Sequence, residues 1–208
     1  MPRAHYFALI RLLFVTLSLT SLCAAQNHAP HEANQRLTAD AFAQFVATCA
    51  PEIPLVTLRA IARTESDFHP YALSLNYPRH VAQEHGHSNA GFFLARQPQT
   101  LAEARAWTHW LLRHGHSVSI GLMQINTQHA ADLGLTPDQL FNPCTNIRAG
   151  AWLLATEYQR AAAAHGEGQE ALRQALSIYN SGSSLVGFGN GYVSRVVRGE
   201  FHRQPMQP

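Results

Sequence analysis

The sequence predicts a mainly α fold of the α+β class: one helical domain with a small β element. Three observations lead there. Apolar residues recur three and four apart through most of residues 38–198, the spacing that lines one face of a helix. Residues 69–98 break that period, and "HPYALSLNYP" within them alternates briefly between apolar and polar, as a short hairpin would. Finally, 208 residues without an internal repeat suit a single domain able to bury a core.

Taken in order, "LTADAFAQFVATCA" predicts a short helix capped by Thr38, with Phe42, Phe45 and Val46 inward and Pro51 past its end. Pro54 suits the first turn of the next helix, "PLVTLRAIARTES". "RHVAQEHGHSNAGFFLARQP" reads as loop plus one more strand. "TLAEARAWTHWLLRHG" is a helix opened by a capping box of Thr100 and Glu103 and stopped by Gly115. "SIGLMQINTQHAADLG" reads as a tight apolar loop running into a short helix. A long helix follows from about Cys144 to Ala164, with Ile147, Ala151, Leu154 and Tyr158 as its inner stripe. "GQEALRQALSIYNSG" forms another amphipathic helix ending at Gly182, and "GFGNGYVSRVVRGE" a Gly-rich bend and a short helix.

The first 25 residues stand apart from this pattern. Arg3 and Arg11 make a basic start, an apolar run follows from Leu12 to Leu22, and Cys23-Ala24-Ala25 has the small-x-small form of a cleavage site. The expectation is a signal peptide over 1–25, a flexible polar leader over 26–37, the domain over 38–198 and a tail over 199–208. An N-terminal anchor is the competing reading, but the apolar run is short for a bilayer, and no stable membrane span is expected after processing. Leu22 is a poor fit for the small residue that a lipid-bearing Cys23 would want before it. Export leaves Cys49 and Cys144, an even pair in an oxidising compartment, which reads as a disulfide rather than two buried thiols. Such a bridge would close a loop of 95 residues, worth about 4 kcal/mol in the chain-entropy model. The formal net charge is +2, with every one of the 15 basic residues an Arg, so no nucleic-acid footprint stands out.

One acid is out of place. In "LRAIARTESDFHP", Leu58, Ile61, Ala62 and Glu65 fall on one helical face. That face should point inward, and a carboxyl there is desolvated, which raises its pKa and favours the protonated acid. Glu65 is therefore either a structural residue with a hidden partner or a general acid of the kind that protonates a leaving oxygen. Asp67 lies on a different side of the helix end, where it faces out or caps a turn; Asp132 and Asp138 read as loop and helix-start residues.

Four segments carry a resemblance: "ARTESDFHPYALS", "SIGLMQIN", "NPCTNIRAGAWLL" and "ALSIYNSG". In order and spacing they resemble the soluble lytic transglycosylase family, whose catalytic domain is similar to goose-type lysozyme. The match covers about residues 40–197. The two cysteines and "GFGNGYVSRV" resemble more narrowly the subgroup carried by type IV secretion and conjugation systems. The resemblance implies a lysozyme-like fold, a periplasmic location, peptidoglycan glycan strands as substrate, and components of such an apparatus as partners. It also implies a mechanism. Glu65 protonates the glycosidic oxygen, then takes a proton from the muramic acid 6-hydroxyl, which closes a 1,6-anhydro ring. One carboxylate suffices and no water is consumed.

The same resemblance implies roles for other residues. Met123 and Gln124 would line the sugar groove, although core filler is the plain reading of Met123. Ser74 would contact the catalytic carboxylate, with a solvent-facing strand hydroxyl as its alternative. The Tyr179 hydroxyl would lie near Glu65 and orient the acid; a core tyrosine is its alternative. Asn180 would border the site or serve the helix end. Ser119 departs from the secretion-type relatives, which often carry Asp there, and this leaves Glu65 more clearly alone.

Thirteen histidines raise a metal reading, with "EHGHS" at 84–88 and "HGHS" at 114–117 densest. Neither forms an ordered ligand set, and solvated loop histidines are the expectation, with no metal and no cofactor. Two other functions compete: a true hydrolase of the goose-type lysozyme kind, with water as nucleophile, and a peptidoglycan-binding assembly protein without catalysis.

Overall fold

The computed structural model describes residues 36–76, 92–94 and 96–199. The chain divides into two units, and all of these residues belong to Glu32–Pro208; the other unit, Met1–His31, lies outside the described residues. The expected signal peptide and cleavage site fall there, as do most of the expected tail and the histidines of 84–88. The end of the expected flexible leader is held: Arg36 donates to the Asp67 carbonyl at 3.0 Å, and the Leu37 amide to the Phe68 carbonyl at 2.9 Å.

Eight α-helices, four short strands and one 3₁₀ turn are described. Helix α1 runs Ala39–Cys49, with Thr38 accepting from the Ala41 amide. Helix α2, Leu55–Ser66, starts behind Pro54, a residue with no donor to leave unpaired in a first turn. Strand β1 is Leu73–Asn76 and β2 is Phe92–Phe93. Helix α3, Leu101–Arg113, begins at Thr100, whose hydroxyl accepts from the Glu103 amide. The reciprocal half of the expected capping box is displaced by one residue. The Glu103 carboxylate accepts from the Gln99 amide at 2.7 Å and also binds Arg96.

Strands β3, Ser117–Ile120, and β4, Ile125–Asn126, come next. They correct the expectation of a plain apolar loop: "SIGLMQIN" is a hairpin, and the β element extends well past residue 98. The sheet is antiparallel, in the order β2-β1-β3-β4, with Leu73 opposite Ile120 and Ser74 opposite Ser119. Of the hairpin expected within 69–78, the described residues 69–76 hold the single strand β1, whose partners lie further along the chain. Helix α4, Thr127–Asp132, leads to a 3₁₀ turn, Pro137–Phe141, closed by a full capping box of Thr136 and Gln139.

The long helix α5, Pro143–His165, is capped by Asn142 and buries Ile147, Ala151 and Leu154. Tyr158 is only partly buried and accepts from the Gly168 amide. Helix α6, Gln169–Ser181, ends in a left-handed Gly182. Helices α7, Val186–Gly189, and α8, Tyr192–Arg198, close the described chain.

The core lies where α2, α5 and the sheet meet. Leu58, Ile61, Leu73, Ile120, Leu122, Met123, Ile125 and Ile147 are all essentially inaccessible to solvent. A disulfide joins Cys49 at the end of α1 to Cys144 at the start of α5, with Cα atoms 5.4 Å apart and 95 residues enclosed. Among the described residues, no helix is long and apolar enough to cross a membrane.

Candidate active site

Glu65 occupies the last turn of α2, one turn beyond the fully buried Ile61 and Ala62. The helix ends two residues later in a left-handed Asp67, whose carboxylate is bound by Arg36 and Arg63. The two acids are thereby separated in role. Asp67 closes the helix with two arginines, and Glu65 stays on the apolar face.

The partner of Glu65 comes from the far end of the chain. The Tyr192 hydroxyl, from the first residue of α8, donates to Glu65 Oε1 at 2.6 Å. Burial pushes the Glu65 pKa from 4.5 up to about 7; the Tyr192 hydrogen bond and the Arg195 charge pull the other way. Burial and the Glu65 charge together hold the Tyr192 hydroxyl well above its ordinary pKa, so it stays a donor. Its bond to Oε1 leaves Oε2 free to carry the acid's proton. Among the described residues no second carboxylate contributes to this shift. Two other acids weighed in the sequence are engaged elsewhere: Asp67 as above, and Asp138 with Arg105 and His109.

Side chains from α2 and α6 tie the β3–β4 turn into place. Ser66 donates to the Leu122 carbonyl at 2.8 Å. The Tyr179 hydroxyl, on α6, donates to the Met123 carbonyl at 2.7 Å. Tyr179 also feels the Glu65 charge, which together with burial raises its pKa well above 10.0. Its hydrogen bond goes to the turn, and the bond to the acid is made by Tyr192.

Gln124 has φ of 48°, a left-handed conformation that side chains bearing a Cβ resist. Its own amide holds it there, donating to the Ala72 and Gly121 carbonyls at 3.1 and 2.9 Å and accepting from Ser74 at 2.7 Å. Ser74 is buried rather than facing solvent, and its described partner is Gln124 rather than Glu65. Met123 is also fully buried. Its side chain packs so closely on Gly150 that a Cβ there would meet it at 2.8 Å. What Met123 offers the site is backbone.

Asn146, on α5, is the hub that sequence reasoning missed. It is 1% exposed and accepts from the Met123 amide at 2.7 Å. It donates to the carbonyls of Ile120 and Leu140 at 2.8 and 2.9 Å. Gly121, with φ of 80°, passes so near that a Cβ would lie 2.5 Å from the Asn146 amide nitrogen. Asn180 sits near the end of α6 and accepts from Asn190 at 2.8 Å; Asn190 in turn accepts from the Tyr192 amide at 2.9 Å. Asn180 thus braces the segment that delivers Tyr192.

Tyr192 was visible in "GYVSRV" only as part of a motif, with nothing local to mark its role. Among the described residues no group of three or more His, Cys, Asp or Glu is placed to hold a metal ion. Among the described residues the site therefore offers a single carboxyl poised between protonated and ionised at neutral pH, held by the Tyr192 phenol and biased by the Arg195 guanidinium. Such a group can give a proton and take one back.

Comparison with known proteins finds relatives over most of the chain. Protein virB1 of Agrobacterium fabrum is 38% identical over 178 residues, 86% of this chain and 64% of its own length. Protein virB1 of Rhizobium radiobacter is 33% identical over 178 residues, 86% of this chain and 66% of its own. Type IV secretion system protein virB1 of Brucella abortus is 34% identical over 155 residues, 72% of this chain and 59% of its own. This chain therefore spans less than two thirds of the length of these curated relatives. No solved structure matches it. Residues 42–196 match the Transglycosylase SLT domain, from α1 through Tyr192 and Arg195, and the chain belongs to that family.

Proposed function

We propose that this protein is a peptidoglycan lytic transglycosylase that cleaves the β-1,4 bond between N-acetylmuramic acid and N-acetylglucosamine. The observation that carries the reading is the Glu65 carboxyl, buried, bonded to Tyr192, pushed up to about 7, and without a second carboxylate acting on it among the described residues. Glu65 Oε2–H protonates the bridging oxygen, and the C1–O4 bond breaks. The N-acetylglucosamine leaves with that proton, and positive charge develops at C1 of the muramic acid. The ionised Glu65, stabilised by the Tyr192 donor, then removes the proton from the 6-hydroxyl. O6 attacks C1, the 1,6-anhydro ring closes, and Glu65 is again protonated. No water enters and no second carboxylate is required, whereas two-carboxylate glycosidases place a base or nucleophile across the bond.

Mass analysis of muropeptides released by the protein tests this. Anhydro-muramic ends are the expected product. Reducing ends would make it a hydrolase of the goose-lysozyme kind, and binding to sacculi without release would make it a non-catalytic assembly protein.

The domain match and the virB1 names together support a setting at the cell wall. We propose that the enzyme acts in the periplasm, opening the wall locally for a type IV secretion or conjugation apparatus. Export would remove the signal peptide by cleavage after Ala25, so intact-mass analysis of the exported form should give Gln26 as first residue. A retained Met1 segment or a lipid on Cys23 would contradict that.

A further inference from the structure

Single-acid catalysis places a demand on Glu65 that burial alone cannot meet. The carboxyl must be protonated at the start and stable as a carboxylate halfway through. Burial favours only the first state. A fixed positive charge nearby favours the second, and the structure supplies one at a defined place.

Arg195 lies on α8, one turn after Tyr192, so the two share a side of that helix. Its Nη1 donates to the Asn190 carbonyl at 2.9 Å. Asn190 is fixed in turn: its side-chain amide donates to Asn180 at 2.8 Å, and its side-chain oxygen accepts from the Tyr192 amide at 2.9 Å. One asparagine thus holds both the residue whose phenol touches the acid and the guanidinium whose charge acts on it. Gly191 makes the close approach possible: it sits at φ of 77°, and a Cβ there would lie 3.2 Å from Arg195 Nη1. The other groups facing Glu65 are Tyr192 on α8 and Tyr179 on α6, both kept neutral. On its own helix, Arg63 is taken up by Asp67. Arg195 is the described cation whose charge acts on Glu65.

We propose that Arg195 is a positioning residue: braced by Asn190 and Asn180, its guanidinium stabilises the ionised form of Glu65 between the two proton transfers. The proposal rests on the single-acid reading above and adds what lets one carboxyl serve twice.

The test is a titration that does not depend on turnover. The Glu65 side-chain carboxyl is followed by ¹³C NMR across pH in the intact domain, for wild type, Arg195→Gln and Arg195→Lys, with melting temperatures alongside. Loss of a nearby opposite charge should raise the Glu65 midpoint by about one pH unit in Arg195→Gln. Arg195→Lys should restore it close to wild type, and the alkaline limb of muropeptide release should move with the midpoint. A Glu65 midpoint unmoved in Arg195→Gln overturns the proposal, even if activity falls, because the residue is then only structural. If Arg195→Gln does not fold, Arg195→Met, which also removes the charge, decides instead: a raised midpoint supports the charge role, and an unmoved one contradicts it. The nature of the product is read separately by mass, so a hydrolytic product would overturn the transglycosylase reading without touching the titration.

Discussion

Glu65 shows how much a single position can announce. Three apolar helical neighbours at the right spacing were enough to mark it as a desolvated acid, and burial indeed dominates its raised pKa. Its partner was not legible, because Tyr192 lies 127 residues away and no local pattern links the two. Glu65→Gln keeps the shape of the site but cannot donate or recover a proton, so release of muropeptides should fall by ~10²–10⁴-fold. The same substitution should change the pH dependence of stability. A carboxyl raised from 4.5 to about 7 destabilises the fold as it ionises. Its favourable contribution is intact below pH 4.5 and lost as pH rises through about 7, a difference of roughly 3 kcal/mol. Chemical denaturation at pH 5 and pH 8 should show Glu65→Gln gaining stability relative to wild type over that interval, because only wild type carries the loss. Asp67→Asn should retain substantial activity in the same release assay, since Asp67 serves Arg36 and Arg63 at the helix end.

At the scale of elements, helices were read well and the β3–β4 hairpin was not. Helix α2 has a stripe, a proline start and a turn after it, all local signals. Strands β3 and β4 total six residues, and their hydrogen bonds go to β1 and to each other. Four apolar residues in a row could not be told from a buried loop. The turn between those strands is held by side chains from three helices: Ser66 on α2, Asn146 on α5 and Tyr179 on α6. That explains why residues expected at the substrate, such as Gln124 and Ser74, spend their hydrogen bonds on each other and on backbone. Asn146→Ala should be among the most damaging substitutions away from the acid. It strands the Met123 amide and two carbonyls in a buried site, at about 3 kcal/mol or more. Urea denaturation should show the lower midpoint, and release activity should fall with it as the turn loosens.

Across the whole molecule, one covalent link and two titrating groups set the limits of stability. The Cys49–Cys144 pairing was legible from arithmetic alone, because only two cysteines follow the expected leader. Closing 95 residues is worth about 4 kcal/mol. Cys144→Ser should therefore lower the melting temperature by about 10 °C, read by calorimetry under non-reducing conditions. His69 opposes Glu65 in its pH dependence. Burial and the Arg36 charge push its pKa from 6.5 down to about 4, and its Nδ1 accepts from the Tyr71 amide. A depressed histidine contributes stability that is present above pH 6.5 and lost as pH falls through about 4. The two windows overlap between pH 4.5 and 6.5, where the effects oppose each other, so wild-type stability should change little there. Thermal melts should show Glu65→Gln gaining stability relative to wild type as pH rises through that window, with the acid-side loss from His69 left in place.

The central claim is that one carboxyl both opens the glycosidic bond and closes the anhydro ring, with no water as reactant. Digestion of purified glycan strands in ¹⁸O-labelled water tests it most directly. The account predicts products one water lighter than their reducing counterparts, carrying no label at the muramic end, and no such products from Glu65→Gln. A labelled reducing end from the wild-type protein, or unlabelled anhydro ends that persist at the wild-type rate in Glu65→Gln, would contradict it.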